Sequence, residues 1–264
     1  MEVVSGALHI ARVTTLAEGA GIETLHTADA LNRSSFSEPI SQGFGIIEAE
    51  SVSSTYLQAR RIVAFDSANY MTRCYDVLRN QLVNDDNGRP VHLIAVTAPT
   101  SGCGVTVTAA NLALSFARVH GANVLLVEMN TRPPAIRGLF GLPPMSQDQE
   151  LTGSLTLVEV SGTRMHLFCP SHQATAASVR VDASRLLSQI AQARQRLMPT
   201  VVIYDMPPIV VADELNAVVK EADAAVIVLA VGHSKPSDLE VCKTFLGPRK
   251  GIRVVLNKSR KHGL

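Results

Sequence analysis

From about residue 90 onward, short and nearly unbroken runs of Val, Ile and Leu alternate with segments whose apolar positions recur every three or four residues. HLIAVTA (92–98), NVLLVEM (123–129), TVVIYDMPP (200–208), DAAVIVLAV (223–231) and IRVVLN (252–257) show no regular polar side. A strand covered on both faces needs none, so these read as buried strands. SLTLVEV (154–160) and RMHLFCP (164–170) are strand-like as well. VTAANLALSFARVHG (107–121), ASRLLSQIAQARQRL (183–197), ELNAVVKEA (214–222) and KPSDLEVCKTFLG (235–247) read as helices, the first closed by Gly121. Buried strands separated by helices predict an α/β fold with a doubly wound, mostly parallel sheet.

Upstream the pattern weakens. Residues 67–84 read as a helix, because Tyr75, Leu78 and Leu82 fall at i, i+3 and i+7, and the turn-forming run Asp85–Pro90 ends it. Residues 1–55 are rich in Ser, Thr, Gly, Ala and Glu, and Asn32–Ile40 reads as linker. The expected organisation is an N-terminal arm over residues 1–55, poorly ordered in isolation, and one domain over 56–264.

Composition narrows the function. The 264 residues carry 24 Lys and Arg against 23 Asp and Glu, a net charge of +1. That is too little positive surplus for a phosphate-tracking nucleic-acid binder. At 46% hydrophobic residues the chain can bury a core, and with no Trp and 4% aromatics it is no aromatic stacking platform. No apolar run reaches the ~18 residues of a membrane span, and the N-terminus lacks a basic region ahead of its apolar residues, so a cytoplasmic location is expected. Cys74, Cys103, Cys169 and Cys242 form no CxxC pair, which argues against zinc and a disulfide framework. The first Lys is Lys220; every earlier positive side chain is Arg or His.

Candidate chemistry begins after the first clear strand, at Pro99-Thr100-Ser101-Gly102-Cys103-Gly104-Val105-Thr106. Strand, glycine-rich loop and helix are how a doubly wound fold holds phosphate: glycines allow close backbone approach, and the helix start presents free N–H groups and a positive dipole end. The usual motif is GxxxxGK followed by Ser or Thr, the Lys reaching the terminal phosphates and the hydroxyl binding Mg²⁺. Thr106 takes the hydroxyl position, while Val105 stands where the Lys would be. From the loop alone, a glycine turn without a ligand is an equally good reading.

TAPTSGCGVTVTAANLA, LLVEMNTRPP and VVIYDMPP, in that order, resemble the three nucleotide-site motifs of the bacterial tyrosine kinases of capsule and exopolysaccharide synthesis, members of the MinD/ParA-like P-loop group. The family pattern runs TSPxPGEGKSTTAANLA, IDADLRRP and YDxIIIDTPP. The likeness spans about residues 67–258 and leaves out the first 55. It implies a P-loop NTPase fold, ATP or ADP and Mg²⁺ as cofactors, and a membrane-embedded polysaccharide copolymerase or export protein as partner, with no nucleic acid and no direct membrane insertion.

Carried over residue by residue, the resemblance assigns nucleotide binding to Gly102, Cys103, Gly104, Val105, Thr106 and Val107 of the loop. It adds Arg132 near the phosphates and Asn257 at an adenine-contacting position, where a turn residue after the last strand is an equal alternative. Thr106, Glu128 and Asp205 are the implied metal ligands, and Glu128 and Asp205 the implied catalytic acids. Several positions depart from the pattern. Val105 cannot donate to phosphate, and each lost hydrogen bond to a charged group is worth about 1.5–3 kcal/mol. Glu128 and Asn130 stand for the family's two Asp, and an amide is a poor general base. The helix ahead of the loop reads Arg73, Asp76 and Arg79 where the family has the ExxRxxR of ring assembly, and the bland reading is a solvated face. Homo-oligomerisation stays open. Only Tyr56, Tyr70, Tyr75 and Tyr204 are present, so there is no C-terminal Tyr cluster to phosphorylate.

Three functions follow: a degenerate kinase-like protein acting by binding in polysaccharide synthesis or export, an active Mg·ATP-dependent tyrosine autokinase or ATPase, and a MinD/ParA-like positioning module.

Overall fold

The computed structural model describes residues 7–12, 47–130, 135–171, 183–211, 215–247 and 251–259. Among them, nine strands form one sheet: β1 (Ala7–Arg12), β2 (Glu48–Ser51), β3 (Leu93–Thr97), β4 (Val124–Glu128), β5 (Ser154–Val160), β6 (Thr163–Cys169), β7 (Val201–Asp205), β8 (Ala224–Ala230) and β9 (Ile252–Ser259). Their order is β1-β9-β8-β3-β7-β4-β6-β5-β2. Only β1–β9 and β5–β6 pair antiparallel. The expected doubly wound, mostly parallel sheet is the one that forms.

Its helices are α1 (Ser54–Ala59), α2 (Thr72–Leu82), α3 (Val105–Ala117), α4 (Ile136–Phe140), α5 (Gln147–Thr152), α6 (Ala183–Leu197), α7 (Asn216–Glu221) and α8 (Pro236–Leu246). Successive strand residues point to opposite faces. Ile94 and Val96 of β3 and Ile203 of β7 therefore join Leu78 of α2 and Leu112 of α3 in one core. Leu93, Ala95, Val202 and Tyr204 join Leu186, Val218 and Leu246 of α6, α7 and α8 in the other. Tyr75, Leu78 and Leu82 are all buried, as their spacing predicts. Asn111 of α3 is buried with its amide satisfied. Its Oδ1 accepts the N–H groups of Val63 and Ala64, and its Nδ2 donates to the carbonyls of Arg61 and Val107.

Chain order sets the place of a site. After β3 the chain crosses to β4 on one side, and after β7 it crosses to β8 on the other. The C-terminal ends of β3, β4 and β7 thus meet where the winding reverses, the place at which open α/β sheets leave a crevice.

Two features go beyond what the sequence shows. The first is the N-terminal segment, set apart above as an arm: it supplies both edge strands, β1 against β9 and β2 against β5. Edge strands are held largely by backbone hydrogen bonds, and β2 is Glu48-Ala49-Glu50-Ser51, so no apolar periodicity announces it. Residues 1–6 and 13–46 lie outside the described residues. The second is the polar side of α2, which is not simply a solvated face. Asp76 Oδ1 accepts from Arg79 Nη1 at 3.1 Å and Ser115 Oγ at 2.6 Å, and from Arg118 Nη2. Arg79 also donates to the Ser115 carbonyl at 2.9 Å. Arg79 is therefore occupied within the fold, joining α2 to α3.

Burial opposes ionisation of Asp76, but the Arg118 and Ser115 hydrogen bonds and the two guanidinium charges outweigh it and hold its pKa below the usual carboxylate range. A depressed pKa contributes stability that is present above the unfolded value and lost as pH falls through the folded one. Asp76→Ala is expected to lower stability by about 1 kcal/mol at pH 7, after allowance for solvent screening. The gap from the native protein should close as pH falls below about 4. Urea denaturation at a series of pH values checks this, and a gap constant with pH would count against it.

Candidate functional site

The loop after β3 is shaped by its neighbours. The Thr97 hydroxyl donates to the Pro207 carbonyl at 2.8 Å, and the Ile209 N–H donates to the Ala98 carbonyl at 2.9 Å. These bonds tie the ends of β3 and β7 together. Gly102 (φ 79°) and Gly104 (φ 93°) take the left-handed conformation that turns the chain into α3. Helix α3 starts at Val105, two residues earlier than the apolar periodicity alone suggests, with Gly104 as its N-cap. Thr100, Ser101, Gly102, Gly104, Val105, Thr106 and Val107 line one side of a cavity of about 200 Å³, faced by Asn130, Met206 and Pro208.

Three contacts brace the loop from the β8–β9 side. His233 Nε2 donates to the Ser101 carbonyl at 3.2 Å. Cys103 Sγ lies 3.6 Å from both Thr100 Oγ1 and Ser234 Oγ. Asn257 Nδ2 donates to the Cys103 carbonyl at 2.9 Å.

Of the loop residues expected to bind nucleotide, Gly102, Gly104, Val105, Thr106 and Val107 therefore border the cavity. Cys103 does not: its side chain is fully buried beneath the loop, a small apolar group used as a core contact. Asn257 lies within β9 rather than in a turn after it, and its amide is engaged with the loop. Arg132 lies outside the described residues. His233 and Ser234 went unnoticed in the sequence. They sit in a short turn between a clear strand and a clear helix, and nothing local shows which loop they touch.

The two acids end adjacent strands. Glu128 closes β4 and Asp205 closes β7, directly opposite each other in register. Both are buried. Neither oxygen of Asp205 has a hydrogen-bond partner. Burial pushes its pKa up to about 8; the nearby Thr106 hydroxyl favours the charged form, and the Glu128 charge opposes it. Glu128 is half committed to structure. Its Oε1 accepts the N–H groups of Ala135 and Ile136, fixing the start of α4, while Oε2 is left without a partner. Burial, and after it the Glu128 charge, raises the Cys169 thiol well above its ordinary value, so this cysteine stays protonated beside Glu128.

Three orphaned carboxylate oxygens beside a hydroxyl suit a hard cation such as Mg²⁺, which takes oxygen ligands. Thr106, Glu128 and Asp205 thus fit the implied metal. Among the described residues no group of three or more His, Cys, Asp and Glu gathers as a metal cluster, so the fit rests on two carboxylates and a hydroxyl. The described wall of the cavity carries no positive side chain, and Val105 presents a branched apolar group where the loop motif has its Lys. No described helix is long and apolar enough to cross a membrane.

No protein-family model matches the chain. Tyrosine-protein kinase CpsD of Streptococcus pneumoniae serotype 4 is 26% identical over 184 residues, covering 65% of this chain and 78% of that protein. A second Streptococcus pneumoniae CpsD is 24% identical over the same length. Among solved structures, the chimerical protein CapA2B2 superposes with a TM-score of 0.58 at 19% identity, covering 83% of this chain and 96% of that one. The kinase domain of the Escherichia coli tyrosine kinase ETK gives 0.57 at 16%, covering 84% and 92%. At these identities the structural likenesses speak for the fold.

Proposed function

We propose that this chain is a member of the bacterial tyrosine kinases of capsule and exopolysaccharide synthesis, a reading supported by its likeness to the CpsD kinases, and that it is weakened in catalysis and acts mainly by binding. Its place is the cytoplasmic face of the membrane, as partner of a membrane-embedded polysaccharide copolymerase or export protein. One observation carries the reading: the phosphate-loop geometry and the Glu128–Asp205 pair are kept, while Val105 occupies the Lys position on the cavity wall.

The residues divide the work unevenly. Backbone N–H groups from Gly102 to Val107 cradle phosphate at the start of α3. Thr106 and Asp205 would hold Mg²⁺, with Glu128 Oε2 beside them. Magnesium, when bound, supplies charge neutralisation for the terminal phosphates. No described side chain clamps charge developing on a transferring phosphoryl group, an effect worth ~10²–10³ in rate. Asn130, an amide, accepts no proton near neutral pH.

The expected result is that purified protein shows neither ATP hydrolysis nor Tyr phosphorylation above the level of Asp205→Ala. A rate that Asp205→Ala abolishes would overturn the reading. It would favour the alternative of an active Mg·ATP-dependent tyrosine autokinase or ATPase, for which the juxtaposed Thr106 and Asp205 speak. The C-terminal region is basic at Arg249, Lys250, Arg253, Lys258, Arg260 and Lys261, which reads better as a solvated tail than as a membrane-positioning element, and four of these six residues lie outside the described residues.

A further inference from the structure

Strand β9 does not run regularly to its end. His9 of β1 pairs with Leu256 and Ala7 with Ser259, so three steps along β9 oppose two along β1. The irregularity falls at Asn257 and Lys258, and Lys258 takes a left-handed φ of 60°. A bulge of this kind re-aims a side chain. Here the side chain is Asn257, which turns onto the phosphate loop. Its Nδ2 donates to the Cys103 carbonyl at 2.9 Å, while its Oδ1 accepts the Lys258 N–H at 2.8 Å. Its backbone carbonyl accepts the Val231 N–H at 3.0 Å, locking the bulge to the end of β8. The amide lies so close to the loop that a Cβ on Gly104 would sit 2.3 Å from Nδ2.

We propose that Asn257 is a positioning residue of the phosphate loop, acting alike on any nucleotide the loop holds. By holding the Cys103 peptide it fixes the direction of the next N–H groups, those of Gly104 and the first turn of α3, toward the cavity. An asparagine reads adenine by using its carbonyl and amino group together on one base edge. In Asn257 one N–H is spent on the Cys103 carbonyl and one oxygen lone pair on the Lys258 N–H, so the amide's orientation is set by the loop and the bulge before any ligand enters. Glycine is required at 104 for the same reason, beyond its φ: the loop and the amide are in direct contact. The geometric part of this inference is independent of any ligand, and the base-selectivity part rests on the proposed nucleotide site.

The deciding experiment compares amide hydrogen exchange in the nucleotide-free full chain. Asn257→Ala and Asn257→Asp should both speed exchange at Thr108, whose N–H donates to the Gly104 carbonyl at 3.0 Å, by about 5- to 10-fold, the worth of one lost hydrogen bond, and leave the interior of α3 unchanged. Asp keeps the shape of Asn but cannot donate, so it tests the bond rather than the volume. A second comparison guards against a folding defect: Gly104→Ala should lower the melting temperature less in an Asn257→Ala background than in the native one, because the clash is gone and only the φ strain remains. For selectivity, Asn257→Ala in the Val105→Lys background should weaken ATP and GTP by the same factor, about 5- to 10-fold. Unchanged exchange at Thr108, or a loss confined to ATP, would overturn the proposal. If Val105→Lys binds neither nucleotide, the proposed function fails, and exchange at Thr108 alone decides whether Asn257 positions the loop.

Discussion

Val105→Lys is expected to raise affinity for Mg·ATP and Mg·ADP by about 10- to 150-fold, from the 1.5–3 kcal/mol that a hydrogen bond to a charged group contributes. Position 105 is the first residue of α3 and lies on the cavity wall, so a longer side chain there can reach into the cavity, at the cost of the partial packing of Val105 against the core. The loop needs no rebuilding, because Gly102 and Gly104 already hold left-handed backbone and three contacts from the β8–β9 side brace it. Calorimetric titration of nucleotide-stripped protein and variant checks this directly. Weak or absent binding by the native chain, with micromolar binding by the variant, would mean that one side chain disables an otherwise formed site. Equal affinity in the two would mean that Val105 is not what limits the site, and the proposed weakening would lose its main support.

Asp205→Asn should make the metal-free protein more stable, and increasingly so as pH rises. Burial raises the Asp205 pKa from 3.8 to about 8, so between those values the folded protein holds a proton that the unfolded chain releases. For a raised pKa, the stability contribution is complete below the unfolded value, declines as pH rises, and is lost once pH passes the folded value. At pH 5 the buried acid is neutral and Asn should make little difference. At pH 9 the native protein carries a buried, ionised carboxylate beside Glu128, with the Thr106 hydroxyl as its favourable neighbour. The full rise corresponds to at most about 6 kcal/mol, and relaxation and water entry bring the expected gain for Asn to ~2–4 kcal/mol. Thermal melting of both proteins at pH 5, 7 and 9 without divalent cations is the test. A gap that stays constant across this range would mean that Asp205 is neither desolvated nor strained by Glu128. Excess Mg²⁺ should then stabilise the native protein more than the variant, since binding to the folded state shifts its stability by mass action.

Both expectations concern residues chosen from the sequence. How far each could be understood there differs. Thr106 and Asp205 were legible because a glycine-rich strand-to-helix turn and an acid closing a buried strand are local patterns, and the three motifs stood in one order. Glu128 was legible as an acid at a strand end, but not as the group that holds the first N–H of α4; that role depends on where residues 135 and 136 return in space. Cys103 stood in the loop string beside Gly102 and Gly104, and only the folded chain turns its side chain into the core.

The alternation of apolar runs with helical segments was enough to predict a doubly wound parallel sheet, because burial on both faces removes polar residues from a strand wherever it sits in the sheet. The loss of the Lys at 105 is equally a property of the sequence. Elements without a local pattern were not visible. β2, Glu48-Ala49-Glu50-Ser51, is an edge strand with no apolar alternation, and α1, α4 and α5 are too short for a periodicity to show. The ties from Arg79 to Ser115, His233 to Ser101 and Asn257 to Cys103 join residues separated by 36, 132 and 154 positions. Hydrogen bonds across such separations are chosen by the packing that brings their elements together. Local patterns therefore determine which strands and helices this chain makes and which acids and glycines it offers, whereas the bracing of its phosphate loop is decided only when β8 and β9 close against β3.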